Sequence, residues 1–198
     1  MKRVLSTAAL IAATSIAAPA FAAPEAFKLE PGHSQVVFTY NHAGFSTTYG
    51  MYSGFTGEIM FDEADPSASS VSVTFPAENM ITGFDGRSGH FLQSGDFFKL
   101  GDYPDVTFVS TAIELTGEDT ANITGDLTLN GVTKSVVLDT KLNQLVDEYP
   151  FPPAQGKKAM GLDASTTLNR ADFNLGMFAP FIPEEVPILI SVEATAVE

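Results

Sequence analysis

Apolar and polar residues alternate with a period of two along most of the chain after residue 22. Around residues 36–40, for example, Val36, Phe38 and Tyr40 fall on one face of an extended chain. This spacing is typical of a half-buried β-strand, whereas a helix repeats its apolar positions at a period near 3.6. Seven further segments follow the same rule, around residues 59–61, 71–75, 106–108, 123–129, 136–138, 160–168 and 188–194. The pattern therefore predicts an all-β domain of about eight strands.

The segments that break this alternation predict the connections between strands. Asn130-Gly131 separates two β-rich runs, and this dipeptide is the strongest local signal for a tight hairpin with a type I′ turn. Residues 83–100 mix Gly, Ser, Asp and paired Phe, which predicts a short helix or an irregular insertion. Residues 147–158 contain three prolines and predict a loop. No linker-like segment divides the chain, so we expect one domain.

The first 22 residues have the three parts of a cleaved signal peptide. Met1-Lys2-Arg3 is positively charged, residues 4–18 are apolar and rich in Ala, and Ala20-Phe21-Ala22 has the small-x-small pattern of a cleavage site. A membrane anchor would need about 20 strongly apolar residues, and this stretch is interrupted by Thr14, Ser15 and Pro19. We therefore predict a signal peptide at residues 1–22, a mature domain at residues 23–198 and a periplasmic location.

Composition excludes several classes of function. The chain has 24 acidic and 10 basic residues, a formal net charge of −14. Nucleic-acid-binding proteins and proteins that dock on anionic lipid carry the opposite charge, so neither partner is expected. The chain has no cysteine, which excludes disulfides, thiol catalysis, iron–sulfur clusters and Cys-ligated zinc.

The sequence also has 16 phenylalanines and no tryptophan. On composition alone, these rings favour an ordinary aromatic core. The alternative is an apolar ligand cavity, since ligand pockets are lined mainly by apolar and aromatic side chains. Alternation alone also leaves open whether the strands form a sandwich or a closed barrel.

Six blocks of the mature chain stand out, in order: HSQVVF at 33–38, HAGFS at 42–46, TGFDGRSGHF at 82–91, DFFKLGDYPDVTF at 96–108, GDLTLNGVTK at 125–134 and NRADF at 169–173. These blocks resemble the motifs of the YceI-like family of exported, lipocalin-like lipid-binding proteins. Together they span nearly all of the mature chain, and six co-linear blocks are far more specific than any one of them. Ser88 and Phe91 stand where the family motif has Asp and Leu, and Asn174 stands where it has Gly.

The resemblance implies a single antiparallel eight-stranded lipocalin-like barrel with a short helical or loop insertion near residues 83–100. It also implies a deep apolar tunnel that binds a long-chain amphiphile, such as a polyisoprenoid or a fatty-acid amide. We predict ligand-binding roles for ten apolar or aromatic residues and two polar ones, namely Phe38, Tyr40, Phe45, Phe55, Ile59, Phe75, Phe84, Arg87, His90, Phe91, Phe97 and Phe108.

Two polar residues of the insertion have two interpretations. Arg87 and His90 are three residues apart, so in a short helix they share a face. They either clamp a ligand head group at the tunnel entrance, or Arg87 is tied to a carbonyl or to an acid such as Asp85 or Asp96. Arg170 has Asp172 nearby and is expected to be structural. The pair Phe97-Phe98 is expected to plug one end of the barrel.

No catalytic residue, metal site or cofactor is predicted. The three histidines, His33, His42 and His90, lie in different segments without the short spacing of zinc ligands. The leading hypothesis is a non-enzymatic carrier of an isoprenoid or acyl chain. The alternatives are a scavenger of foreign hydrophobic molecules such as lipophilic antibiotics, a lipid-modifying enzyme, and a structural sandwich with a filled core. The oligomeric state, including a homodimer, is left open by the sequence.

Overall fold

The computed structural model describes residues 23–197, and the predicted signal peptide lies outside them. The described chain is an all-β structure with one α-helix, α1, at Asp85–Gln93. Its ten strands are β1 (Glu25–Leu29), β2 (Gln35–His42), β3 (Ser46–Ser53), β4 (Thr56–Phe61), β5 (Ser70–Pro76), β6 (Asp105–Leu115), β7 (Thr120–Leu129), β8 (Val132–Val146), β9 (Ala159–Asn169) and β10 (Glu185–Ala196).

Eight of these strands close into an antiparallel barrel, as predicted. They follow the order β1-β4-β5-β6-β7-β8-β9-β10, and β1 pairs with both β4 and β10 to complete the ring. The hairpin β2–β3 is joined to β10 through β2, so β10 pairs with β1 near its end and with β2 near its beginning. Helix α1 lies in the predicted insertion between β5 and β6. None of the helices among the described residues is long and apolar enough to cross a membrane.

Alternation in the sequence missed β1 and β3. β1 is only five residues long, which is too short for a period of two to stand out. In β3, the inward positions that face the lumen are Ser46, Thr48, Gly50 and Tyr52. Three of these four are small or weakly apolar, so the strand carries no hydrophobic stripe although its backbone is fully paired with β2.

The antiparallel pairing defines two ends of the barrel. At the upper end lie the β2–β3 hairpin, α1, the β7–β8 turn and the segment between β9 and β10, residues 170–184. The lower end holds the loop at residues 147–158, as predicted, and the chain entering β1. The 3₁₀ turn Arg170–Phe173 follows β9 directly and ends at Asn174, whose φ is 59°. Gly and Asn both adopt this left-handed conformation readily. This shared property explains why Asn174 can stand where the family motif has Gly.

The lower end is filled by a group of packed side chains that we call the base cluster, Phe27, Phe61, Met160 and Ala194. Phe27 is fully buried and meets Phe61 edge to face, with ring centroids 6.3 Å apart. Ala194 is also fully buried and is paired with Met160 across β9 and β10. Burying aromatic rings in this way contributes a large share of the stabilisation of a small core.

The Asn130-Gly131 turn has the predicted type I′ geometry and an additional role. Both residues have positive φ, 51° and 78°, and the flanking residues Leu129 and Val132 are paired. The Asn130 side chain is buried; its Oδ1 accepts a hydrogen bond from the Lys99 amide, and its Nδ2 donates to the carbonyls of Phe97 and Phe173. The Asn130 side chain therefore holds two upper-end segments against the barrel, the segment at residues 97–99 and the turn that contains Phe173.

Candidate functional site

A cavity of about 900 Å³ occupies the barrel above the base cluster. Ligand pockets in proteins span roughly 300–1,000 Å³, so this space is large enough for a sizeable organic molecule. Its wall is formed by the inward positions of every strand from β2 to β10, and its floor includes Leu29 and Ile59. The composition of the sequence favoured a filled aromatic core, and the structure instead places most of these rings around an open lumen.

Eleven of the twelve residues predicted to bind ligand line this cavity. They come from six strands or connections, which the fold brings to one surface: Phe38, Tyr40, Phe55, Ile59, Phe75, Phe84, Arg87, His90, Phe91, Phe97 and Phe108. Within the lumen, Tyr52 lies between Phe38 and Phe75, at ring-centroid distances of 5.9 and 5.1 Å. Their placement makes contact with a ligand feasible, and their binding roles stay predictions.

Phe45 is the predicted residue that does not line the cavity. It lies at the tip of the β2–β3 hairpin and is 89% exposed. Ala43 and Gly44, with φ of 50° and 82°, turn the chain there, and the Phe45 amide donates to the carbonyl of His42. Because Phe45 belongs to the turn and not to either strand, alternation along β2 does not direct its ring inward.

The structure adds lining residues that the sequence did not single out. Tyr52 comes from the missed strand β3, and a larger group comes from the segment after β9, namely Phe173, Leu175, Phe178, Phe181 and Ile182. Phe181 is 76% exposed, so this part of the lining also reaches solvent. Phe178, Phe181 and Ile182 have a helical spacing, but Gly176, Pro180 and Pro183 interrupt this segment and disrupt any periodic signal.

An aromatic cluster connects the elements at the upper end. The ring of Tyr40 on β2 meets Phe91 on α1, Phe91 meets Phe97, and Phe97 meets Phe178, with centroid distances of 6.0, 5.0 and 6.0 Å. His90 contacts Phe91, Phe97 and Phe178 from the solvent side, and its Nε2 lies 3.1 Å from Asp96 Oδ2. The hairpin, the helix and the 170–184 segment therefore meet through ring contacts at the mouth of the cavity.

Arg87 has a structural partner. Its Nη1 donates to the carbonyl of Thr82 at 2.9 Å, and no acidic side chain among the described residues pairs with it. Thr82 and Ser88 are hydrogen-bonded through their hydroxyls at 2.9 Å. Ser88 therefore stabilises the entry into α1 at the position where the family motif has Asp. Arg87 still lines the cavity, so contact with a ligand and its structural contact are compatible.

Arg170 is structural, as expected, but its partner is not Asp172. The guanidinium donates to four main-chain carbonyls of the following segment, those of Leu175, Met177, Ile182 and Pro183. Burial lowers the pKa of Arg170, and the nearby Glu184 opposes that shift. Arg170 nevertheless stays charged, because the guanidinium group is too strong a base to lose its proton in a protein. The residue thus organises the segment that carries Phe178 and Phe181 over the cavity.

The chemistry of the lining is recognition of apolar groups. Its polar members are few, and the described residues contain no group of three or more His, Asp or Glu side chains arranged to hold a metal ion. His33, which is outside the lining, pairs with Glu30 at 2.7 Å, and His90 pairs with Asp96. His42 and His90 both line the cavity, and His33 lies outside it.

Comparison with known proteins gives consistent matches over the whole described fold. The family model of the YceI-like domain matches residues 27–194. Protein YceI of Escherichia coli is 40% identical over 177 residues, covering 89% of each chain. The crystal structure of BcnA from Burkholderia cenocepacia has a TM-score of 0.73 at 23% identity, covering 84% of this chain and 99% of the other. A polyisoprenoid-binding domain from Saccharophagus degradans has a TM-score of 0.66 at 16% identity, covering 87% and 99%.

Proposed function

The chain belongs to the YceI-like domain family, and from this premise we propose that it is a non-enzymatic carrier that holds a long-chain amphiphile in its barrel. The observation that carries the proposal is the cavity of about 900 Å³ inside a wall of inward-facing apolar side chains. The structural neighbour from Saccharophagus degradans is a polyisoprenoid-binding domain, which supports the same class of ligand. Polyisoprenoids and fatty-acid amides are the ligand types that we favour.

The physical basis for binding is the burial of hydrocarbon. Each CH₂ group moved from water to an apolar site contributes roughly 0.8 kcal/mol, so a long chain binds well with little polar recognition. A carrier of this kind needs no nucleophile or metal, and its cargo stays shielded from water during transfer. Chain length should then influence affinity more strongly than the head group.

We also propose that this carrier acts in the periplasm after removal of residues 1–22. A protein that shields a lipid chain is useful where lipids must cross an aqueous compartment. N-terminal sequencing of the protein from its native host is expected to begin at Ala23, after the Ala20-Phe21-Ala22 site. A soluble envelope protein that retains Lys2 and Arg3 would contradict processing at this site.

Native mass spectrometry of protein purified without detergent tests the carrier function. We expect a mass excess from a co-purifying lipid, which extraction and fragmentation then identify. A matched pair of variants provides the control. Ala164→Phe adds a ring to the cavity wall, whereas the neighbouring Ser165 faces away from the lumen by strand alternation, so Ser165→Phe leaves the cavity open.

The carrier predicts a bound lipid in the wild type and in Ser165→Phe, and reduced loading in Ala164→Phe. Absence of lipid, together with no uptake of added prenyl or acyl chains, would contradict it. A preference for lipophilic drugs over prenyl and acyl lipids would instead support scavenging of foreign molecules. Conversion of an added lipid to a new product would support the enzyme alternative.

A further inference from the structure

Tyr52 places a hydroxyl group inside the apolar cavity. The residue is on β3, 7% exposed, and its ring is held between Phe38 and Phe75. Every fully enclosed side-chain polar atom in residues 23–197 has a hydrogen-bond partner. The Tyr52 hydroxyl has none among these residues, so it faces the space of the cavity and not packed protein.

This hydroxyl is an exception among the buried polar side chains. The other buried polar residues of the described chain all have hydrogen-bond partners; they are Ser34, Asp62, Thr82, Asn130 and Thr140. A buried donor without a partner costs free energy, and native structures keep few of them without a reason. Burial also raises the pKa of the Tyr52 phenol well above its ordinary value, so the group remains an O–H donor throughout the usual pH range.

The surroundings of the hydroxyl restrict what it can bind. Its neighbouring rings, Phe38 and Phe75, carry no charge, and an anion placed beside them would lose its hydration without a counter-charge. No charged group of residues 23–197 lies beside the hydroxyl, because burial alone raises the pKa of Tyr52, and neither lining arginine, Arg87 or Arg170, contributes to that shift. An uncharged acceptor oxygen is therefore the group that fits the Tyr52 hydroxyl.

We propose that Tyr52 is a ligand-recognition residue that donates a hydrogen bond to a neutral acceptor oxygen, such as an ester, amide or ketone carbonyl, carried by the amphiphile within the barrel. This inference rests on the proposed carrier function and makes its ligand class narrower. Of the ligand types favoured above, the inference selects fatty-acid amides and those polyisoprenoids that carry such an oxygen, because a plain hydrocarbon chain offers the hydroxyl no acceptor. The acceptor group of the ligand lies in the lumen between two phenylalanines, and not only at the mouth near Arg87 and His90.

Tyr52→Phe tests this recognition because it removes only the hydroxyl and keeps the ring contacts. Tyr49→Phe is the matched control, since Tyr49 is on the same strand but is 64% exposed and lies outside the cavity lining. Delipidated protein is titrated with two probes of matched chain length, methyl stearate, which carries an ester carbonyl, and octadecane, which carries no acceptor. Binding is measured by displacement of diphenylhexatriene, a hydrocarbon dye that accepts no conventional hydrogen bond.

Tyr52→Phe is expected to lose about tenfold in affinity for methyl stearate, which corresponds to about 1.4 kcal/mol. Its affinity for octadecane should be unchanged or higher, and Tyr49→Phe should bind both probes as the wild type does. The melting temperature of unliganded Tyr52→Phe should equal or exceed that of the wild type, because an unpartnered donor has been removed. This second readout confirms that the variant is folded.

Equal methyl stearate affinity in Tyr52→Phe and the wild type would overturn the inference while leaving the carrier function intact. A marked fall in the melting temperature of unliganded Tyr52→Phe would also overturn it, because the hydroxyl would then have a partner in the unliganded protein. A wild-type protein that binds neither probe nor the dye would instead contradict the carrier function itself.

Discussion

The base cluster and the cavity are built from the same strands, yet one is filled and the other is open. In the base, Phe27 is paired with Ala196 on β10 and with Ile59 on β4. Its ring is fully buried inside the barrel. In the wall of the cavity, Phe38 and Phe108 cover glycines on neighbouring strands. Their rings occupy the space that a Cβ at Gly50 or Gly125 would fill.

This difference shows how an aromatic-rich barrel keeps a lumen. A ring that lies against a glycine is accommodated by the wall, because the missing side chain leaves room beside the backbone. The number of phenylalanines therefore does not decide between a core and a cavity. At Phe38 and Phe108, the glycine beside each ring leaves more of the lumen open.

The largest expected effect is in the base. Phe27→Ala should lower the free energy of unfolding by about 3–5 kcal/mol, because it removes a fully buried ring from a packed cluster. Urea denaturation measures this loss. The lipid affinity of the folded fraction should be unchanged, since Phe27 is not part of the cavity lining. A loss below about 1 kcal/mol would show that the base is not densely packed.

Phe108→Ala tests whether the Phe108 ring belongs to the wall of a cavity or to a packed core. Phe108 is half-buried and faces the lumen, so the unliganded protein should lose only about 1–2 kcal/mol of stability. The larger change should be weaker binding of a long-chain lipid and a smaller ligand-induced rise in melting temperature. A stability loss as great as that of Phe27→Ala, with lipid affinity unchanged, would place Phe108 in a packed core.

Gly50→Ala tests the role of glycine in the wall. The new methyl group collides with the Phe38 ring, which must move towards the lumen. Overpacking of this kind costs about 1 kcal/mol where a side chain can yield. We expect that loss in thermal unfolding, together with reduced uptake of long-chain lipid. Gly89, on α1 with no close neighbour, provides the control: Gly89→Ala should leave uptake unchanged.

The smallest effect is expected at the hairpin tip. Phe45→Ser should change stability by less than about 0.5 kcal/mol, because the ring is exposed and packs against nothing that folding buries. Equilibrium affinity for a soluble lipid probe should also be unchanged, because Phe45 lies outside the cavity lining. A clear loss of affinity would restore the binding role predicted for Phe45 from the sequence.

Strand alternation predicted the parts of this structure that follow a periodic rule. It located the inward faces of β5, β6 and β10, and local turn chemistry located the Asn130-Gly131 hairpin. β3 was missed because its inward positions include Ser46, Thr48 and Gly50, which leave no apolar stripe. Ser46 is exposed and Thr48 is half-exposed, so neither position needs to be hydrophobic, and Gly50 is buried beneath the Phe38 ring.

The remaining part of the site depends on contacts that no sequence pattern encodes. Phe178 and Phe181 reach the cavity because Arg170 binds the backbone of the segment that carries them. Asn130 likewise forms hydrogen bonds with main-chain groups far away in sequence, such as the Lys99 amide and the Phe173 carbonyl. Tyr52 was not singled out because an isolated Tyr in a polar strand is ordinary, and its unpartnered hydroxyl appears only in three dimensions.

The Arg170 contacts have a consequence for how this protein can diversify. A guanidinium that binds only main-chain carbonyls places few demands on side-chain identity in the segment it holds. Substitutions at positions 178 and 181 can therefore accumulate while the segment keeps its path over the barrel mouth. The mouth of the cavity can therefore change by point substitutions, and the base cluster continues to fold the barrel in the same way.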